Sequence, residues 1–141
     1  MDGLSPYVRF TGFADDVSPY YNIMDINVNC SVGTETSSLA LSEGMSLGIP
    51  AVVSDYGGNP YMVRHGVNGL VYPTGRYDIL AREIHRLASD ERLYRQLSGG
   101  AYRRFLTELN AKQMTENTER LYRVLYDRAV SKPLKGRYEH S

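Results

Sequence analysis

The sequence runs to 141 residues, with 16 basic and 16 acidic side chains, one cysteine and no tryptophan. That length fits one domain whose core would bury roughly 70% of the unfolded surface, and the single thiol, Cys30, excludes an internal disulfide framework and suits a reducing compartment. No apolar run approaches the roughly 20 residues that cross a bilayer, and the opening MDGLSPYVRF has neither the basic nor the apolar region of a secretory signal.

The net charge of zero hides an asymmetry. Residues 1–75 carry seven acids and two bases (Arg9, Arg64), a net −5, and residues 76–141 carry 14 bases and nine acids, a net +5. A nucleic-acid binder concentrates its bases on one face. Here the bases alternate with acids on helix-patterned sequence, which reads as solvated helix surface and argues against a nucleic-acid partner.

In chain order, YVRFTGF (7–13) is rich in β-branched and aromatic residues and reads as a strand. Asp16 is placed to cap a short helix within 16–25, where Pro19 suits only the first turn. INVNCS (26–31) alternates as a strand, with Cys30 expected in the core. SSLALSEGMSLG (37–48) has helical length, a Thr36 or Ser37 cap and a Gly48 stop, and Pro50 blocks continuation. AVVSDY (51–56) reads as a buried strand, Gly57-Gly58-Asn59-Pro60 as a turn, YMVRHG (61–66) as one or two helical turns and GLVYP (69–73) as a last strand.

From residue 76 the pattern is helical. Ile79, Leu80, Ile84 and Leu87 mark one helix, Asp90 caps a second carrying Leu93, Leu97 and Ala101, and a third over roughly 111–130 has the stripe Met114, Leu121, Val124, Leu125. The polar SKPLKGRYEHS (131–141) reads as a tail, leaving residues 1–130 as one domain. Strands alternating with helices at this spacing predict an α/β fold, with a Rossmann-like parallel sheet and helices on its faces. Ligands then sit at the carboxyl ends of the strands, which points to loops 12–16, 31–36 and 55–60.

The stretch from Ser31 to Pro50 carries the chemistry. The amides of Thr36, Ser37, Ser38 and Leu39 are expected at a helix N-terminus, a partly positive place suited to a phosphate or an oxyanion, although an ordinary capped helix has the same pattern. The helix is otherwise small or apolar, which predicts burial all round. A carboxylate at Glu43 inside it then needs hydrogen-bond donors: sugar or ribose hydroxyls, or an internal amide or tyrosine hydroxyl. Glu35, just before the helix, either holds ligand hydroxyls or stabilises the helix terminus. His65, His85 and His140 lack metal-ligand spacing.

Glu35 and Glu43 stand seven residues apart. They are followed by Gly48-x-Pro50, the pair Gly57-Gly58, and Gly66-x-Asn68-Gly69-Leu70. In that order the motifs resemble the C-terminal domain of family 4 retaining glycosyltransferases of the GT-B fold, over about residues 7–130. The resemblance implies a domain that binds a nucleotide-diphosphate sugar. Glu43 would hold the ribose hydroxyls and Glu35 would lie against the donor sugar as the catalytic residue. Thr36, Ser37, Ser38 and Leu39 would meet the diphosphate or sugar, and Gly12, Phe13, Ala14 and Asp15 would lie near the base. It implies hexosyl transfer with retention, no cofactor and no metal, so Asp15-Asp16 is not a metal pair. It also implies a cytoplasmic location, peripheral at the membrane in the whole protein, and a role in polysaccharide or glycan assembly.

The sequence departs from the family where Thr36-Ser37-Ser38 replaces Gly-Phe-Gly and where Tyr61 replaces a glutamate after the paired glycines. The N-terminal acceptor domain is absent, as are the first strands of the C-terminal domain with their diphosphate-clamping arginine and lysine. The chain is therefore expected to be a fragment, inactive alone, with exposed sheet edges open to self-association. A non-catalytic interaction module that keeps the fold is the alternative, and a nucleotide-sugar epimerase leaves the Glu35/Glu43 spacing unexplained.

Overall fold

The computed structural model describes residues 3–33 and 36–131. Its elements are a 3-10 turn at Ser5–Tyr7, α1 (Ser18–Asn22), β1 (Asn27–Asn29), α2 (Leu39–Ser46), β2 (Ala51–Ser54), α3 (Asn59–Met62), β3 (Gly69–Tyr72), α4 (Tyr77–Ser89), α5 (Glu91–Arg104), a π turn at Phe105–Leu109 and α6 (Ala111–Ser131). Among the described residues the sheet has three parallel strands in the order β1-β2-β3, with Val28, Val52 and Leu70 in register. The fold is α/β and Rossmann-like, as the alternation of elements predicts.

Side chains alternate across a strand, so β2 feeds two cores. Ala51 and Val53 pack with Leu41 and Met45 of α2, Met62, Val63 and Ala101. Val52 packs on the other face with Leu70, Tyr72, Leu87 and Leu97. All four β2 residues are buried, as a parallel sheet covered on both faces requires.

Two sequence signals set the ends of these helices. Gly48 has φ +73°. Its amide donates to the Met45 carbonyl and the Ile49 amide to that of Gly44, a left-handed cap that ends α2 and turns the chain into β2. Asp90 caps α5, its Oδ1 accepting from the Leu93 amide at 2.9 Å.

Three expectations need correction. YVRFTGF is not a strand: residues 8–13 lie outside every element, and Phe10 and Phe13 are 91% and 92% exposed. A strand needs a hydrogen-bonded neighbour, and none pairs with this segment among the described residues. Cys30 follows β1 and is exposed rather than in the core. The helix after the paired glycines begins at Asn59 and ends at Met62, earlier than 61–66. The stripe of α6 is exposed, Met114, Leu121, Val124 and Leu125 included. Residues 132–141, most of the expected tail, lie outside the described residues.

Candidate functional site

The carboxyl ends of β1 and β2 carry a small polar network. Ser54, the last residue of β2, donates to the Ser31 carbonyl at 2.8 Å and accepts from Asn59 Nδ2 at 3.1 Å. Asn59 also reaches Asn29 Oδ1 at 3.5 Å. Asn59 is fully buried, and its Oδ1 has no hydrogen-bond partner among the described residues. The network ties the loop after β1 to the turn after β2.

The paired glycines make that junction possible. Gly57 has φ +56°, a conformation costly for other residues. At Gly58 a Cβ would stand 1.9 Å from the Thr36 carbonyl oxygen, so only glycine lets the two loops touch.

On the other side of this junction α3 is anchored from its C-terminal end. Arg104 is buried at 5% exposure. Its Nε donates to the Met62 carbonyl at 2.9 Å, one Nη donates to the Tyr61 carbonyl and the other to Glu108 at 2.7 Å. Its guanidinium lies 5.7 Å from the centre of the Tyr61 ring. Asn68 completes the anchor: its Nδ2 donates to the Met62 carbonyl at 3.0 Å and its Oδ1 accepts from the Arg64 amide at 2.7 Å. This accounts for Asn68 in the Gly66-x-Asn68-Gly69 motif. Gly69 is needed because a Cβ there would come 2.4 Å from the Ala51 carbonyl oxygen of β2.

The predicted site residues fall as follows. Glu35, with Thr34, lies outside the described residues. Thr36 and Ser37 are exposed in the loop before α2. The helix starts at Leu39, with Ser38 as its cap, Ser38 Oγ accepting from the Leu41 amide at 3.3 Å. The first-turn amides are therefore those of Leu39, Ala40 and Leu41, two to three residues later than the sequence suggests. Leu39 is 76% exposed. Gly12 has φ +68°, Phe13 and Asp15 are exposed and Ala14 is half-buried. Asp16 receives the Ser18 amide at 2.9 Å, opening α1.

Glu43 is exposed, which corrects the expectation of a helix buried all round. The reason is geometric: α2 buries Leu41, Gly44 and Met45 against the sheet, α5 and the π turn, and Glu43 lies off that stripe. Close approach of α2 to β1 runs through Gly44, where a Cβ would sit 2.8 Å from Asn27 Nδ2. The Glu43 carboxylate is nonetheless held, because Tyr21 of α1 presents its hydroxyl to Oε2 at 2.9 Å. The sequence allows a tyrosine partner without saying which of 12. Burial, then the hydrogen bond to Glu43 and its charge, raise the Tyr21 hydroxyl to about 12.

Positive charge is scarce. Arg64, one of two bases in residues 1–75, is engaged by Glu108 at 3.0 Å. Among the described residues no three His, Cys, Asp or Glu side chains converge as a metal site would, and no helix is long and apolar enough to cross a membrane.

Residues 1–90 match the family model described as glycosyl transferases group 1. A D-inositol 3-phosphate glycosyltransferase of Streptomyces bingchenggensis is 32% identical over 101 residues, 70% of this chain and 22% of that protein. Among solved structures, a sucrose-phosphate synthase from Thermosynechococcus elongatus superposes with a TM-score of 0.70 at 27% identity, over 79% of this chain and 28% of that one. Anabaena HepE in complex with UDP superposes with a TM-score of 0.74 at 25% identity, over 82% and 33%. The chain thus spans about a fifth to a third of the length of these relatives.

Proposed function

The chain belongs to the group 1 glycosyl transferases, and on that premise we propose that it is the part of a retaining, family 4 glycosyltransferase that holds a nucleotide-diphosphate sugar. The observation that carries this reading is Glu43: an open carboxylate on α2, restrained by Tyr21, in the motif order of the family. A carboxylate so placed accepts two hydroxyls of a ribose. Anabaena HepE, solved with UDP and with UDP-glucose, lends the ligand class.

In this reading the first-turn amides of α2 and the Thr36-Ser37-Ser38 loop face the diphosphate and sugar, and a helix N-terminus favours the charge that develops on a leaving diphosphate. Gly12, Phe13, Ala14 and Asp15 flank the base. Glu35 is assigned to the donor sugar by its place in the motif. No residue is assigned to a metal. Arg9 and Arg64 are the bases of residues 1–75 and Arg64 is paired with Glu108, so this half offers little positive charge to a leaving diphosphate and the chain holds the donor without transferring it. A hexose is the donor sugar we favour, and assembly of a polysaccharide or glycan is the use.

One observation favours a second reading, a non-catalytic interaction module. Arg64 is already paired, which leaves the site half poor in cations. The test is a ¹⁵N NMR titration of the chain with UDP-glucose, GDP-mannose and ADP-glucose. We expect one of them to shift the amides of 12–15, 36–40 and 43 together. Shifts absent there for all three would refute donor binding and leave the interaction module.

A further inference from the structure

Tyr21 sits in the last turn of α1, a five-residue helix with no buried residue. Its hydroxyl lies 2.9 Å from Glu43 Oε2 and 3.1 Å from the Ala40 carbonyl oxygen. A phenol has one proton to give. The Ala40 carbonyl already receives Asn27 Nδ2 at 2.8 Å, so the phenol proton goes to the carboxylate, where a charge-assisted bond is stronger. Among the described residues Tyr21 is the sole hydrogen-bond donor to the Glu43 side chain, and no cation pairs with it.

An exposed glutamate on a helix ordinarily samples several rotamers, and a ligand must then order it. Here one oxygen is pinned before any ligand arrives and Oε1 is left open. We infer that Tyr21 is a positioning residue: it fixes the Glu43 carboxylate for the cis-diol of a ribose and so selects ribonucleotides over deoxy forms. The inference rests on Glu43 being the ribose-binding residue. It adds that the selectivity depends on a side chain that never touches the ligand. Desolvation and the neighbouring carboxylate keep the Tyr21 proton in place across the neutral range, as a permanent donor must.

The experiment compares UDP with 2′,3′-dideoxy-UDP, each titrated by NMR to millimolar concentration into the unmodified chain, Tyr21→Phe and Glu43→Gln. The unmodified chain should prefer UDP. Tyr21→Phe should shrink that preference by about tenfold, the worth of one hydrogen bond to a charged group, and leave the dideoxy affinity unchanged. The Glu43 Cδ resonance should move in the same variant. A merely structural role for Tyr21 would weaken both ligands alike, and an unaltered preference in Tyr21→Phe overturns the inference while Glu43 keeps its role. A preference that survives in Glu43→Gln, or is missing from the unmodified chain, overturns the reading of Glu43 itself and the inference with it.

Discussion

Replacing Arg104 by methionine keeps the apolar stem and removes the guanidinium that closes the end of α3. The Met62 carbonyl keeps Asn68 Nδ2 as a donor, so its loss is one charge-assisted bond, about 1.5 kcal/mol net. The Tyr61 carbonyl loses the Arg104 Nη donor, and leaving such a group without one costs about 1–1.5 kcal/mol. The ion pair adds little, because Glu108 is 37% exposed and retains Arg64. The total is about 2.5–3 kcal/mol, read as a drop in the urea midpoint at unchanged slope. A loss below about 1 kcal/mol would refute the assignment of Arg104 as the anchor. Because α3 follows the Gly57–Gly58 turn, the variant should also broaden the amide resonances of residues 55–60.

Two further outcomes follow from single contacts. A Cβ at Gly100 would lie 1.8 Å from the Val67 carbonyl oxygen, so Gly100→Ala should destabilise by about 2–3 kcal/mol, and a melting temperature within 2 °C of the parent, by calorimetry, would contradict that packing. Tyr21 is raised from 10.0 to about 12. Between those values the unfolded chain gives up this proton and the folded chain keeps it, so the contribution of Tyr21 is full below pH 10 and is lost as pH climbs toward 12. In Glu43→Gln the ¹³Cζ titration of Tyr21 should fall but stay above the ordinary value, since burial, the largest cause, remains.

What the linear sequence determined was everything whose signal is local. Gly48 stops α2 because a left-handed residue is needed there, Asp90 starts α5 through its own neighbours, and the run Ala51–Ser54 is apolar enough to be a strand covered on both faces. The order of the glycine motifs pointed to the group 1 glycosyl transferases because each glycine answers a local backbone demand: Gly58 and Gly69 approach Thr36 and Ala51 too closely for a Cβ, and Gly48, Gly57 and Gly66 take a positive φ. Tertiary structure alone decided which surfaces meet. Residues 7–13 have strand composition but no strand beside them among the described residues. The apolar residues of α2 suggested burial on every side, whereas the sheet covers one stripe and leaves Glu43 open. Arg104 reads as one more surface base, yet it is buried because three oxygens from α3 and Glu108 surround it. Tyr21 and Glu43 lie 22 residues apart, and only the docking of α1 on α2 makes them partners. Hydrogen-bond partners at that separation leave no periodicity in the chain, so their pairing becomes visible only once the elements have packed.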